Sequence, residues 1–446
     1  MIFAGNFKDT YFILDVESGT VLDVDKVTYD VAKRWERGEP IQKDALSEEQ
    51  QEAYGELMAL KEQGMFDSPN LLDEQPLEFS KPVVKALCLN IAHDCNLRCT
   101  YCFAKDGTYQ GERGLMTREV AKAALDFLVE QSQNRKNLEV DFFGGEPLIN
   151  FDVVRYAVEY GTELAQKRGK NIRFTLTTNG YALDEEKMDY INTHMKNLVI
   201  SIDGRKETHD KERKTPGGNG SYDRVVQNAK RAIQKRGDQE YYIRGTFTPE
   251  NLDFTQDVKA IYDMGFTSLS IEPVVTKGRL ELKQEHMERV DQEYDALAQY
   301  IEDLQVQGKP VCFFHFMVDL TSGPCLNKRL RGCGAGAEYI AVTPKGDVYP
   351  CHQFASQQAF YMGNVLKGDI DFTVAAPIAD AHVQNKPECK KCWAKYFCSG
   401  GCAANAYGQM GDVNKPYEIG CQMTKMRMER AIALFIRKRQ REQEKA

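Results

Sequence analysis

The chain has 446 residues, enough for two or three domains with a sizeable core, and its 58 Lys and Arg against 66 Asp and Glu leave a formal charge of −8. That mild acidity argues against nucleic acid as a partner. A hydrophobic content of 42%, with no apolar run near the roughly 18 residues of a span, argues against a membrane protein. The N-terminus lacks a basic segment followed by an apolar one and a small-residue cleavage site, so a cytoplasmic location is expected. In such a reducing compartment 13 cysteines speak for metal or catalysis rather than disulfides.

In chain order, residues 11–16 and 20–25 read as two short strands joined at Glu17-Ser18-Gly19, a hairpin signal. Residues 27–37 carry apolar side chains at helical spacing, and Ser47-Glu48-Glu49-Gln50 opens a second helix with a capping box, running to about Gly64. A hairpin followed by helices predicts a small winged-helix-like module over residues 1–80. From residue 81 to 309 short β-branched runs alternate with amphipathic stretches, the pattern of βα units and a parallel sheet. Strands are expected at 84–91, 138–143, 172–177, 198–202, 241–247 and 268–274, with helices such as 117–131, 151–168 and 284–307 between or after them. Six units fall short of a closed eightfold barrel, so the expectation is an α/β chain built on an open (β/α)6 barrel with its site at the C-terminal strand ends. Residues 310–446 form a third region, rich in Cys and Gly and with little periodicity, as a part organised by metal would be. The charged tail from Arg437 to the end reads as solvated.

The cysteines cluster. Cys95, Cys99 and Cys102 form C-x3-C-x2-C in a loop directly after the first barrel strand. Three thiolates on one loop suit a 4Fe-4S cluster with one iron left open to a ligand; the alternative is a structural zinc completed by a residue such as His93. Tyr101 precedes the last of these cysteines, and Gly144-Gly145-Glu146-Pro147 follows the second strand. Here the sequence resembles the radical S-adenosylmethionine (SAM) superfamily, whose signature is C-x3-C-x-aromatic-C at that place, followed by a GGEP motif that meets the SAM amino group. The resemblance implies that Gly144, Gly145, Glu146, Thr178, Ser201 and Arg213 line the SAM site. It also implies that SAM is cleaved reductively to give a radical that takes hydrogen from substrate.

Cys333, Cys351, Cys389, Cys392, Cys398, Cys402 and Cys421 follow, with Gly346 before Cys351. Without a family, Cys389, Cys392, Cys398 and Cys402 could form a single zinc knuckle. The whole set resembles the seven-cysteine SPASM extension of radical SAM enzymes. That resemblance implies Cys333, Cys351 and Cys402 for one auxiliary cluster and Cys389, Cys392, Cys398 and Cys421 for a second, so three 4Fe-4S clusters and SAM in all. Two complete auxiliary clusters need about eight thiolates, so either Cys325 or a cysteine of the substrate supplies the eighth. Cys88 and Cys312 read as core residues.

Over its length the sequence is similar to the maturases of short Cys-rich ribosomal peptides, the six-cysteines-in-forty-five group. The similarity implies a thioether from a Cys sulfur to a Thr carbon, a precursor peptide captured by its leader on the N-terminal module, and an electron donor such as a ferredoxin or flavodoxin. A sulfatase-type maturase that makes formylglycine is a second enzymatic reading. An iron-sulfur electron carrier without SAM chemistry, and a zinc-ribbon binding protein, are readings of a different class.

Overall fold

A computed structural model describes residues 1–66, 68–70, 82–320 and 326–444. The expected boundary at residues 80 and 81, and Cys325, lie outside the described residues. The chain opens with β1 (Ile2–Phe7), β2 (Thr10–Asp15) and β3 (Val21–Val24), an antiparallel sheet in that order. β1 is absent from the sequence reading because Gly5 and Asn6 weaken its strand pattern. Gly5 is required there: a Cβ would stand 2.4 Å from the Phe12 ring. α1 (Lys26–Glu36) starts on the Asp25 carboxylate, which accepts from the Thr28 amide at 2.7 Å, and α2 (Glu48–Glu62) starts on the Ser47–Gln50 capping box. Alternation gives the sheet two apolar faces. Ile2, Ala4 and Ile13 pack on α1 and α2, while Phe3, Phe7, Phe12 and Leu14 face the C-terminal part of the chain.

The middle of the chain follows as β4 (Ala86–His93), α3 (Arg118–Gln131), β5 (Asn137–Gly144), α4 (Phe151–Lys167), β6 (Asn171–Thr178), α5 (Glu185–His194) and β7 (Asn197–Ser201). It continues with α6 (Lys206–Glu212), α7 (Tyr222–Arg236), β8 (Tyr241–Phe247), α8 (Phe254–Asp263), β9 (Ser268–Pro273), α9 (Met287–Val306) and β10 (Cys312–Phe313). The six strands β4 to β9 are parallel neighbours in chain order. Their alternation sets the two faces of the curved sheet. Val140, Phe142, Leu176, Ile200, Ile243 and Ile271 join the helix-side core, so Asp141, Phe143, Thr177, Ser201, Arg244 and Glu272 line the opposite, concave face.

β11 (Tyr339–Val342), β12 (Asp347–Tyr349) and β13 (Gly363–Asn364) belong to the Cys-rich region yet extend the same sheet. β11 runs parallel to β4 on its free edge, with Ala341 opposite Cys88, and β12 and β13 add antiparallel strands, so the sheet is mixed. The region also has an apolar core of its own, around Tyr349, Phe354, Phe360 and Ile378, which corrects the reading of it as metal-organised alone. The tail is corrected too. α10 (Glu418–Gln443) carries the chain through it, and Arg437 donates to Thr10 Oγ at 2.6 Å, to the Phe7 carbonyl at 3.2 Å and to Glu302 at 2.7 Å. Cys88 is buried, whereas Cys312 is half-buried beside Met317 and Tyr242 rather than in the core. Among the described residues no helix is long and apolar enough to cross a membrane.

One buried pair ties the ends of the chain together. Lys395 Nζ lies 2.6 Å from Glu17 Oε1, with side chains 1% and 6% exposed, and the Tyr396 hydroxyl donates to Glu17 Oε2 at 2.8 Å. Beside it Phe3 stacks on Trp393 at 3.8 Å between ring centres. Glu17→Gln leaves the ammonium buried without its counter-charge and is expected to lower stability by roughly 3–5 kcal/mol, read as a lower urea midpoint. Glu17→Leu combined with Lys395→Met is expected to recover most of that loss.

Candidate functional site

The loop after β4 carries Cys95, Cys99 and Cys102, and three local devices fix it. The Gly145 amide donates to the Ala92 carbonyl at 2.8 Å and the Glu146 amide to the Asp94 carbonyl at 3.0 Å, so the turn after β5 is bonded to the start of the loop. Gly144 has φ +126°, open to glycine, and a Cβ on Gly145 would fall 2.1 Å from the Asp94 carbonyl oxygen. The middle of the loop is pinned by antiparallel bridging of Cys99 to Arg213 and of Arg98 to Lys214. Across from it, Asn179 Nδ2 lies 3.6 Å from Cys95 Sγ and donates to Asn96 Oδ1 at 2.8 Å.

Beneath the loop sits a buried polar knot. Arg213 donates to Asp203 at 2.8 Å and 3.1 Å, the Tyr101 hydroxyl donates to Asp203 at 2.6 Å, and the Thr246 amide donates to it at 2.9 Å. One edge of the Arg213 fork, Nε with Nη2, is thus committed to Asp203, and its charge bears on Cys99. Glu146 is equally occupied: it accepts from Thr178 Oγ at 2.7 Å, the Asn179 amide at 2.8 Å and the Leu148 amide at 3.0 Å. Burial pushes its carboxyl up to about 7 against those three donors. Of the residues implied for SAM, the structure therefore groups Gly144, Gly145, Glu146 and Thr178 at one end of the cysteine loop, Arg213 under its middle, and Ser201 on the concave face opposite Arg244.

Burial raises the Cys95 and Cys99 thiols to about 12, and Cys102 rises for the same reason; Cys95 is raised further by Glu146, Cys99 and Cys102. In the C-terminal region Cys351 is raised by burial and then by Cys402 and Cys333, while Cys421 is raised by burial and then chiefly by Cys398, with Cys389 and Cys392 adding to it. The structure thus draws together Cys95, Cys99 and Cys102, then Cys333, Cys351 and Cys402, then Cys389, Cys392, Cys398 and Cys421. Among the described residues no three His, Cys, Asp or Glu side chains are placed to hold a single metal ion. Lys386 supplies the test of fit. Its side chain is 0% exposed, its ammonium donates to the Gly400 carbonyl at 2.9 Å, and the groups bearing on it are Cys389, Cys398, Cys402 and Cys421. A buried cation among four cysteines suits an anionic thiolate-ligated cluster.

Two residues outside the sequence reading face the concave side. His352 follows Cys351; its ring lies 4.8 Å from Phe143 and 5.5 Å from Phe103, the residue after Cys102, and Nδ1 is 3.0 Å from the Tyr339 hydroxyl. Its place beside a clustered cysteine is the one signal that could have found it. Arg244 carries no signal in the sequence, since its direction depends on strand register.

Residues 89–259 match the radical SAM superfamily profile and residues 333–393 match SPASM, an iron-sulfur cluster-binding domain. The chain is a radical SAM enzyme. More particularly, it is one whose barrel is followed by a SPASM domain, related to the sulfatase maturases. It is 25% identical over 332 residues to the cysteine-type anaerobic sulfatase-maturating enzyme of Clostridium novyi (strain NT), covering 70% of this chain and 86% of that one. In fold it is similar to native anSMEcpe with bound AdoMet, with TM-score 0.65, 21% identity, and 79% and 98% of the two chains covered. It is also similar to Streptococcus suis SuiB bound to precursor peptide SuiA, with TM-score 0.54, 16% identity, and 92% and 95% covered.

Gly145→Ala must displace the Asp94 carbonyl and with it Cys95, and is expected to slow 5′-deoxyadenosine formation on the order of 100-fold while leaving the C-terminal cysteine groups loaded with iron. Lys386→Met removes a buried positive charge and is expected to lower one auxiliary midpoint potential by on the order of 50 mV in a redox titration followed by electron paramagnetic resonance, with the SAM-cluster signal unchanged.

Proposed function

We propose that the enzyme installs a thioether between a Cys sulfur and a Thr carbon of a short Cys-rich ribosomal peptide. The observation that carries the proposal is that the chain next to two cysteine groups comes together on the concave side of the sheet. Phe103, next to Cys102, and His352, next to Cys351, meet there in ring contact. A peptide segment bound there would reach both groups. When bound, SAM and the clusters supply one-electron chemistry, withdrawal of a hydrogen atom from substrate and acceptance of an electron. The bookkeeping closes on those terms: a C–H bond breaks with its hydrogen atom passing to the cofactor side, the thiol gives up its proton, a C–S bond forms, and one electron leaves to an oxidised cluster. Residues Cys95, Cys99 and Cys102 would hold the SAM cluster. Cys333, Cys351 and Cys402 would hold one auxiliary cluster, completed by Cys325 or by a cysteine of the substrate, and Cys389, Cys392, Cys398 and Cys421 would hold the other. A ferredoxin or flavodoxin would supply electrons.

The N-terminal unit, residues 1–80, is read as a winged-helix-like recognition module. Support comes from β3, which has β2 on one side and no strand on the other among the described residues. An extended leader peptide added there would complete the sheet. The SuiB likeness, to a structure with its precursor peptide, extends over nearly all of this chain and agrees with that reading. The Clostridium novyi relative favours a second reading, oxidation of a protein Cys or Ser to formylglycine.

Anaerobic co-expression with a candidate Cys- and Thr-containing precursor, followed by tandem mass spectrometry, separates the two. The expected product has lost two hydrogens and one alkylatable thiol and does not react with hydroxylamine. A product that does react with hydroxylamine overturns the crosslink in favour of the aldehyde.

A further inference from the structure

The concave face of the sheet holds a charge that the site described above does not use. On β8 the side chains of Ile243 and Phe247 enter the helix-side core, so Arg244 between them points the other way, and its side chain is 51% exposed. It stands opposite Ser201 on one side and Ser270 on the other. Its carboxylate neighbour is Glu272, at 3.7 Å, and that carboxylate is shared: His315 Nε2 lies 3.0 Å from Glu272 Oε1, and Arg427 Nη1 lies 3.5 Å from His315 Nδ1. The Arg427 contact makes Nδ1 the acceptor and leaves the proton of a neutral imidazole on Nε2, the nitrogen beside Glu272. Burial drives the His315 imidazole toward neutrality, in line with that arrangement. Burial also raises the Glu272 carboxyl, but His315, Arg244 and Arg427 outweigh it and bring it to about 2, so its negative charge is fixed. This corner therefore has two guanidiniums for one carboxylate. The half-exposed guanidinium is the one facing the open concavity, while the Nε of Arg427 is buried without a partner.

We propose that Arg244 is the substrate-facing cation of the barrel and holds an anionic group of the peptide, a side-chain carboxylate or a cysteine thiolate, beside the reacting residue. Glu272 and His315 are positioning residues that keep its fork pointed into the concavity. A fork geometry suits a carboxylate bidentately. A thiolate gains from the same charge, because a neighbouring guanidinium lowers a thiol's pKa and raises its nucleophilic fraction. The proposal rests on the maturase reading for the identity of its ligand. It can nevertheless be tested without turnover.

The test uses the full-length, cluster-reconstituted protein and 4-hydroxyphenylglyoxal under anaerobic conditions at pH 8.5, with the rate of Arg244 modification read by peptide mass spectrometry. The exposed Arg37, 62% accessible, serves as the internal reference. Three probes compete at equal concentration: acetyl-Gly-Asp-Gly-amide, acetyl-Gly-Cys-Gly-amide, of which about half is thiolate at this pH, and neutral acetyl-Gly-Ser-Gly-amide. The expected result is at least fivefold slower modification of Arg244, with Arg37 unchanged, in the presence of one anionic probe and no slowing by the Ser probe. Protection by Asp identifies a carboxylate ligand, and protection by Cys a thiolate. No protection, equal protection by all three, an unreactive Arg244, or protection by SAM alone overturns the proposal, the last by assigning Arg244 to the cofactor. A wild-type enzyme that makes no thioether yet shows protection by an anionic probe would count against the thioether reading and leave this site standing.

Discussion

Ten cysteine side chains sit in three groups, and burial pushes the thiols of eight of them upward. That constraint governs the rest of the molecule. Left as thiols they are weak polar groups in a poor solvent; as thiolates without a cation they repel one another. Iron removes the contradiction, since binding a cluster displaces the protons and supplies the charge that the thiolates need. Much else in the structure serves this arrangement: the amide bonds that fasten the Gly144–Glu146 turn to the cysteine loop, the bridge at Arg213, and the buried Lys386.

The parallel sheet does a different job. Its period of two sorts apolar side chains to the helices and polar ones to the concavity, so a single curved surface collects Asp141, Thr177, Ser201, Arg244 and Glu272 from five strands far apart in sequence. The loops that carry chemistry sit at the ends of those strands, where backbone groups are free to turn. The N-terminal sheet then closes the assembly from outside, with Phe3 on Trp393 and Glu17 on Lys395.

Much of this was legible in the residues, and what was not has identifiable causes. The six parallel strands lie within about two residues of their expected ends because long β-branched runs between amphipathic helices carry a strong period. The Ser47 cap and the 241–247 strand were readable for the same local reasons. β1 was not, since its central Gly5 is explained only by the ring of Phe12 above it. Nor was the union of β11 with β4, a pairing between segments some 250 residues apart that no local pattern announces. The charged tail misled because its Arg and Lys suggest solvent, whereas Arg437 reaches back to Thr10 and Glu302 across tertiary space. The cysteines were visible at once as a group; which of them share a neighbourhood depends on turns that spacing does not encode. Arg244 and His352 stayed hidden because their importance lies in direction, which only register and packing decide.

The strand pairing of β11 with β4 has a mechanical meaning. β4 runs directly into the loop of Cys95, and β11 leads through a tight hairpin to Cys351, so both cysteine groups hang from one hydrogen-bonded ladder. A ladder of this kind is stiff along its length, with about 3.3 Å per residue and no hinge. The spacing between the two groups is accordingly set by pleat geometry rather than by loop closure. Loops around the concavity can therefore change shape while the separation of the two cysteine groups stays fixed by the ladder.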